Sequence, residues 1–104
     1  MARYATFMQV KPGREAEYVE RHLNCWPAII EGIQKAGIRN YSIFMHGRDL
    51  FSTFETDDLA ASMAQVAADP VNQRWQATMA PLMDVGSGIK YGSTAYLAEV
   101  FHVD

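Results

Sequence analysis

The middle of the chain, residues 40–54, reads NYSIFMHGRDLFSTF. Residues 40–45 and residues 50–54 are rich in aromatic and β-branched side chains, which favour strands. The four residues between them, His46-Gly47-Arg48-Asp49, are typical of a turn. The pattern predicts a β-hairpin, and helical sequence adjoins it on either side.

The segment before the hairpin predicts a broken helix. Residues 14–23 are charged and carry apolar side chains at helical spacing, which indicates an amphipathic helix whose apolar stripe faces the core. The stripe consists of Ala16, Val19 and Leu23. Pro27 removes a hydrogen bond and clashes with the preceding turn, so a break is expected near residues 24–26. Helix is expected to resume over residues 29–36 and to end at Gly37.

After the hairpin, two more helix starts follow. The acids at residues 57–58 suit the positive end of a helix that runs to about residue 68. Asp69 at the cap and Pro70 at the first position predict another helix, running to about residue 79. Residues 86–92 are glycine-rich and predict a loop.

Strand-like sequence also lies near each end of the chain, over residues 4–10 and residues 95–103. The predicted order is therefore β-α-β-β-α-β, an α+β fold of the ferredoxin-like type with both helical segments on one face of an antiparallel sheet. Aromatic and methionine side chains fall on both faces of the strands, so the second face of the sheet needs a cover. A partner subunit together with a ligand is the expected cover.

Composition and charge narrow the function. The 104 residues carry 9 Lys and Arg against 12 Asp and Glu, a net charge of −3, and we expect one domain over residues 1–104. Scattered cations argue against nucleic acid and anionic membranes as partners. Cys25 is the only cysteine, so no intrachain disulfide can form. The longest uncharged stretch has ten residues, too few to cross a bilayer, and the N-terminus lacks an apolar signal run. A soluble, cytoplasmic protein is expected.

Two groups of residues are candidates for chemistry. Tyr18 and His22 lie four residues apart on the first predicted helix and therefore on one side of it, where a histidine can exchange protons near neutral pH. Trp75 and Gln76 offer an apolar plate beside an amide, as sugars require, and Trp26 and Tyr41 offer further walls. The alternatives are a half-exposed surface histidine and a tryptophan that simply packs in the core. The three histidines have no metal-ligand spacing, and no motif for a nicotinamide, flavin or haem cofactor is present.

In order and spacing, six segments resemble the L-rhamnose mutarotase family over nearly the whole chain. They are FMQVKPG at residues 7–13, EYVERH at 17–22, WP at 26–27, RNYSIF at 39–44, DPVNQRW at 69–75 and EVFH at 99–102. The resemblance implies a ferredoxin-like fold that forms a dimeric α/β barrel. It also implies a cofactor-free isomerase that interconverts the α and β anomers of L-rhamnose.

The same resemblance implies residue roles. By motif, His22 corresponds to the family's proton donor, Tyr18 is expected to share in proton transfer, and Tyr18 and Tyr41 fall on substrate-contacting tyrosines. The family often has paired tryptophans where this chain has Trp75 and Gln76, and both residues are expected to hold the sugar ring. Since an amide replaces an aromatic plate, a related 6-deoxy sugar such as L-fucose is the competing substrate.

Two other classes of function stay open at this point. A cofactor-free monooxygenase built on the same barrel would bind a hydroquinone in an apolar cleft, whereas the tyrosine–histidine pair and Gln76 favour a polyol. A non-catalytic ligand-binding dimer would use the same cleft without turnover. The expected partners are a monosaccharide and a second copy of the chain.

Overall fold

Three antiparallel strands form the sheet of the computed structural model, which describes residues 2–84 and 96–104. The strands are β1 (Ala2–Gln9), β2 (Arg39–His46) and β3 (Asp49–Thr56). Their spatial order is β1-β3-β2, so the last of them in sequence lies in the centre. The predicted hairpin is confirmed, because His46 pairs with Asp49 and Gly47 turns the chain with a φ of 59°. A positive φ is accessible to glycine at little cost.

The helices form two pairs, of which the first connects β1 to β2 and the second follows β3. They are α1 (Glu15–Leu23) with α2 (Pro27–Lys35), and α3 (Leu59–Ala68) with α4 (Pro70–Met79), after which a short 3₁₀ helix covers Ala80–Leu82. The break predicted near residues 24–26 is confirmed, as is the helix start at Asp69 and Pro70. None of the helices in the described ranges is long and apolar enough to cross a membrane. The predicted loop over residues 86–92 lies outside these ranges.

All four helices cover one face of the sheet. Alternate residues of β3 are buried beneath them, namely Leu50, Ser52, Phe54 and Thr56. The larger core cluster joins Leu50 to side chains from α1, α2 and α4, including Tyr18, Ile29 and Trp75. The smaller cluster consists of Ala36, Ile38 and Phe54. The architecture is a small two-layer α+β fold, and the candidate site residues lie against its larger cluster.

The opposite face of the sheet carries aromatic rings, as the two-sided strand pattern predicted. Phe7 and Phe51 pair across β1 and β3 with ring centroids 5.2 Å apart, and Phe44 lies opposite Phe51 on β2. Phe44 and Phe51 are exposed. Because no helix of the described chain covers these rings, this face presents apolar surface to its surroundings.

The prediction of a strand over residues 95–103 is wrong for residues 96–103, which form no strand. This segment runs beside the free edge of β1, where the Leu97 N–H donates to the Ala5 carbonyl at 2.8 Å. Side chains supply further contacts, with Arg3 bonded to Glu99 at 2.7 Å and to His102. Strand-like composition did not produce a strand because a ladder needs a repeated series of backbone bonds, and Val100 is 92% exposed with no core to cover.

Candidate active site

Helix α1 turns an aromatic pair, rather than its aliphatic stripe, toward the core. Tyr18 is buried, whereas Leu23 is 80% exposed and Val19 and Ala16 are exposed as well. The expectation that the aliphatic stripe forms the buried face of this helix is therefore wrong. The physical reason is aromatic packing, since Tyr18 joins Trp75 of α4 in the larger core cluster and stacks on His22.

The Tyr18 and His22 rings stack with their centroids 4.2 Å apart and their planes 28° apart. His22 Nδ1 lies 3.0 Å from the Tyr18 carbonyl oxygen one helical turn earlier. A carbonyl only accepts, so Nδ1 carries the proton, and in the neutral ring the lone pair sits on Nε2. The helix geometry thus fixes both the tautomer and the orientation of the imidazole.

Trp75 of α4 closes the other side of this histidine. Its ring meets His22 edge-on, with centroids 5.6 Å apart at 81°, and is itself only 7% exposed. Helix α4 is set in place at its start by Asp69, whose carboxylate accepts the Val71 N–H at 2.9 Å. The structure therefore brings three of the predicted site residues into one cluster, Tyr18, His22 and Trp75.

The helix break adds Trp26 to the cluster. Because Pro27 follows, Trp26 is extended (φ −60°, ψ 131°) and swings its ring toward α4. The Trp26 and Trp75 rings meet at 76° with centroids 5.1 Å apart. Trp26 is 36% exposed, so one ring of the pair is open to a ligand while the other is packed.

A cleft of about 700 Å³ opens beside this tryptophan pair, between α1 and the end of α4. Its polar lining on one side comes from α1 and the residue that follows it, namely Glu17, Glu20, Arg21 and Asn24. Thr78 of α4 lies on the opposite side. Arg21 donates to the Thr78 carbonyl at 2.5 Å and thereby ties α1 to α4. These lining residues were not predicted as site residues, although the spacing of Glu17, Glu20 and Arg21 places them on one side of α1.

Tyr41 approaches from the sheet. It lies on the helix-facing side of β2 and stacks on Phe54, with centroids 5.9 Å apart and planes 19° apart. The residue is 43% exposed, but desolvation of its hydroxyl group raises the pKa of Tyr41 above its usual value of 10, and the Cys25 thiol adds to the increase. Cys25 lies two residues after the end of α1, with its N–H donating to the His22 carbonyl at 3.2 Å. The ring contact of Tyr41 is with Phe54 of the smaller core cluster.

Cys25 is a small and partly buried side chain. Burial raises the pKa of its thiol above the ordinary 9.0, which disfavours the thiolate. Gln76 is partly buried on α4, where its amide donates to Asn72 Oδ1 at 3.3 Å. Adjacent helical residues point in different directions, so Gln76 does not continue the plate of Trp75.

Within residues 2–84 and 96–104, no group of three or more His, Cys, Asp or Glu side chains is arranged to hold a metal ion. The chemistry that the cluster offers is that of its own side chains. It combines one oriented imidazole, the Tyr18 phenol, a half-open indole and a neighbouring polar cleft, which suits proton exchange on a small hydroxylated ligand.

Known proteins resemble this chain in sequence and in fold. A family model described as L-rhamnose mutarotase matches residues 3–103. An L-rhamnose mutarotase of Opitutus terrae is 40% identical over the whole of both chains, and one of Oceanobacillus iheyensis is 36% identical over the same span. The crystal structure of an L-rhamnose mutarotase from Formosa agariphila superposes with a TM-score of 0.80 at 26% identity, covering both chains completely. The chain therefore belongs to the L-rhamnose mutarotase family.

Proposed function

We propose that this protein is an isomerase that interconverts the α and β anomers of L-rhamnose, with residues 1–104 forming one mutarotase domain. Family membership supports the activity, and the stacked Tyr18–His22 pair against Trp75 is the observation that carries the assignment to these residues. The single cysteine supports a cytoplasmic location for this activity.

Mutarotation needs only proton transfers and the opening of one labile bond. A base removes the proton of the anomeric hydroxyl while an acid protonates the ring oxygen, and the ring C–O bond breaks to give the open aldehyde. Rotation about the C1–C2 bond and reclosure then yield the other anomer, with both protons returned. General acid–base catalysis contributes typically about 10²–10⁴-fold, and positioning adds more.

His22 is the proposed acid and base. Its Nδ1–H is held by the Tyr18 carbonyl, which leaves Nε2 to exchange the proton with the sugar. Tyr18 is the proposed partner that shares or relays the proton, since its ring is stacked on the imidazole. A water molecule is the proposed second proton-transfer group.

Four side chains are proposed to hold the sugar: Tyr18, Tyr41, Trp75 and Gln76. An indole face takes the C–H patch of a pyranose ring, while phenol and amide groups bind hydroxyls. The exposed ring of Trp26 beside Trp75 supplies an aromatic wall on the cleft side. Gln76 stands where the family often has a second tryptophan, and its amide offers a hydrogen-bond donor and an acceptor. We therefore expect the preference between 6-deoxy sugars to be the property that this residue changes most.

We also propose that the protein works as a homodimer in which two ferredoxin-like subunits form an α/β barrel. The uncovered rings of Phe7, Phe44 and Phe51 support this, because burying them against a second copy removes apolar surface from water. Exposed Phe101 adds to that surface. Sedimentation at micromolar concentration tests the dimer, and Phe44→Lys together with Phe51→Lys is expected to give monomers.

Saturation transfer between anomeric protons in NMR tests the activity directly, with L-rhamnose, L-fucose and D-glucose measured side by side. We expect exchange well above the buffer rate for L-rhamnose. Enhancement for L-fucose alone would keep the mechanism and reassign the substrate, with Gln76→Trp as the variant expected to restore L-rhamnose. A lack of enhancement for all three sugars would refute the mutarotase assignment.

A further inference from the structure

Ile38, the residue just before β2, and Tyr41 within it both face the helices although they lie three residues apart. Side chains alternate along a strand, so residues separated by an odd number of positions normally point to opposite faces. Ile38 is only 3% exposed and belongs to the core cluster with Phe54, and Tyr41 stacks on the same Phe54 ring. One extra residue must therefore be accommodated between Ile38 and Tyr41.

The extra residue is Asn40. In the register of β2 and β3, Arg39 lies opposite Glu55 and Ser42 lies opposite Thr53, so two residues of β2 share the single position opposite Phe54. This is a β-bulge, an insertion that re-aims the side chains on either side of it. The pairing of β2 with β3 is otherwise continuous from Ser42 to His46.

The backbone of Asn40 has the conformation that the bulge requires. Its φ is 51°, in the left-handed region, and it is the only non-glycine residue with a positive φ in the described part of the chain. Asparagine tolerates this region better than most residues because its short amide can bond locally. Here the amide donates to the carboxylate of Glu55 on the neighbouring strand, which ties the bulge to β3.

The residue just before the bulge is fixed as well. The Arg39 guanidinium donates to the Gln34 carbonyl at 2.9 Å and to the Ile38 carbonyl at 3.0 Å. These bonds hold the end of α2 against the start of β2. A register slip would break these hydrogen bonds and expose Ile38, so moving the bulge along β2 would cost both the bonds and the burial of that side chain.

We propose that Asn40 is the positioning residue for Tyr41: its left-handed backbone and its bond to Glu55 maintain the bulge that turns the Tyr41 ring to the helix-facing side of the sheet, against Phe54. The use of Tyr41 as a substrate contact rests on the proposed function. The orientation of Tyr41 rests on register and stacking alone. The raised pKa of Tyr41 gives a spectroscopic readout of that orientation, since desolvation among the helices is its main cause.

The test compares Asn40→Val, Asn40→Ala and Asn40→Gly. Glycine adopts the left-handed conformation freely, whereas a β-branched residue strongly resists it. Ultraviolet titration of the phenols, with Tyr41→Phe as the reference that isolates the Tyr41 curve, reports the environment of that ring. In Asn40→Val we expect Tyr41 to titrate at lower pH, near the ordinary value of about 10, and KM for L-rhamnose to rise about tenfold with a smaller change in kcat. Asn40→Gly is expected to stay within about threefold of the wild type in KM.

Gly47→Ala is the matched control. Gly47 also has a positive φ, at the other end of the same hairpin, and an added Cβ there meets no atom within 4 Å. It is expected to lower stability by backbone strain without moving the Tyr41 titration or KM. A shift of both in Gly47→Ala would show that any strain in the hairpin has this effect and would overturn the proposal.

Unchanged titration and KM in Asn40→Val would also overturn the proposal. If that variant does not fold, Asn40→Ala against Asn40→Gly supplies the same comparison, and equal values for the two would count against it. If the wild type exchanges no sugar, the proposed function fails, yet the phenol titration still decides whether Asn40 positions Tyr41.

Discussion

The two helical pairs are interrupted in the same manner, by a proline at the first position of the second helix, but their breaks are built differently. In the pair α3 and α4, the break is capped: the Asp69 carboxylate accepts the Val71 N–H at 2.9 Å. Helix α3 is capped as well, because Asp58 accepts the Ala61 N–H at 3.0 Å. This pair satisfies the free N–H groups of its helix starts with its own side chains.

In the pair α1 and α2, neither helix has a side-chain cap. Arg14 precedes α1 and Trp26 precedes α2, and neither side chain accepts a hydrogen bond from a backbone N–H of its helix start. The position that a capping residue would occupy is used instead to place an indole against Trp75. A cap is worth about 1 kcal/mol, so this break gives up local stability and depends on packing against α4.

The two pairs contribute differently to the candidate site. The capped pair fixes Trp75 and Gln76, which are proposed to hold the sugar ring, and the uncapped pair carries His22 and Tyr18, the proposed proton-transfer residues, together with Trp26. The proposed proton-transfer residues thus lie on the pair whose helix starts depart from the best local choice.

Trp75→Ala is expected to have the largest effect on stability, because its buried ring links the two pairs. We expect the free energy of unfolding to fall by about 3–5 kcal/mol in urea titrations. Trp26→Ala is the matched control, and its half-open ring is expected to cost about 1 kcal/mol. Equal losses for the two tryptophans would contradict the view that the buried Trp75 ring, and not the half-open Trp26 ring, links the two pairs.

Asp69→Ala tests the cap at the start of α4. Loss of the cap should lower the free energy of unfolding by about 1 kcal/mol, with anomer exchange unchanged at temperatures where the protein stays folded. Asp69→Asn retains an acceptor oxygen and should lose less. A tenfold fall in exchange rate in folded Asp69→Ala would mean that the capped break takes part in the chemistry.

Gly32→Ala is expected to have a smaller effect, and it tests a contact between the two helical pairs. A Cβ at Gly32 of α2 would lie 2.7 Å from Asp69 Oδ2, so the capping carboxylate has to move. The helix gains about 1 kcal/mol from alanine and loses a similar amount of capping, which leaves a net change near zero. In the Asp69→Ala background the same change should stabilise by about 1 kcal/mol. Additive effects in this double-mutant cycle would rule out the contact.

Glu17→Gln is expected to give the smallest effect, at the uncapped start of α1. A hydrogen bond from Arg14, with Nη2 2.7 Å from the carboxylate, is the main cause that lowers the pKa of Glu17 below 4.5. A lowered pKa contributes stability above pH 4.5, and that contribution is lost as pH falls through the folded pKa. The difference in unfolding free energy between wild type and Glu17→Gln should therefore decrease to zero as the pH falls from 7 to 3. A difference that stays constant over this range would exclude the ion pair as its source.

Local sequence signals predicted much of this fold. Proline and aspartate have their effects within one turn of backbone, so the break before Pro27 and the cap at Asp69 could be predicted from residue types alone. The turn at Gly47 followed in the same way. The pairing of His22 with Tyr18 needed only helical spacing.

Features that depend on distant partners could not be predicted. Which face of α1 is buried was decided by Trp75, more than fifty positions away, and not by the local stripe. Residues 96–103 have strand-like composition, but the sequence does not say which edge would pair with them. The bulge at Asn40 was hidden because Tyr41, Ile43 and Met45 alternate regularly, and the change of parity appears only once Ile38 is known to be buried.

The central claim is that His22 exchanges protons with the sugar through Nε2, and His22→Asn tests it most directly. The asparagine amide keeps a donor for the Tyr18 carbonyl and removes the imidazole base. Saturation transfer on L-rhamnose should show the enzyme-dependent exchange rate reduced by about 10²–10⁴-fold, with sugar binding in ligand-observed NMR retained. Exchange at the wild-type rate in His22→Asn would contradict the account and move the proton transfer to another group.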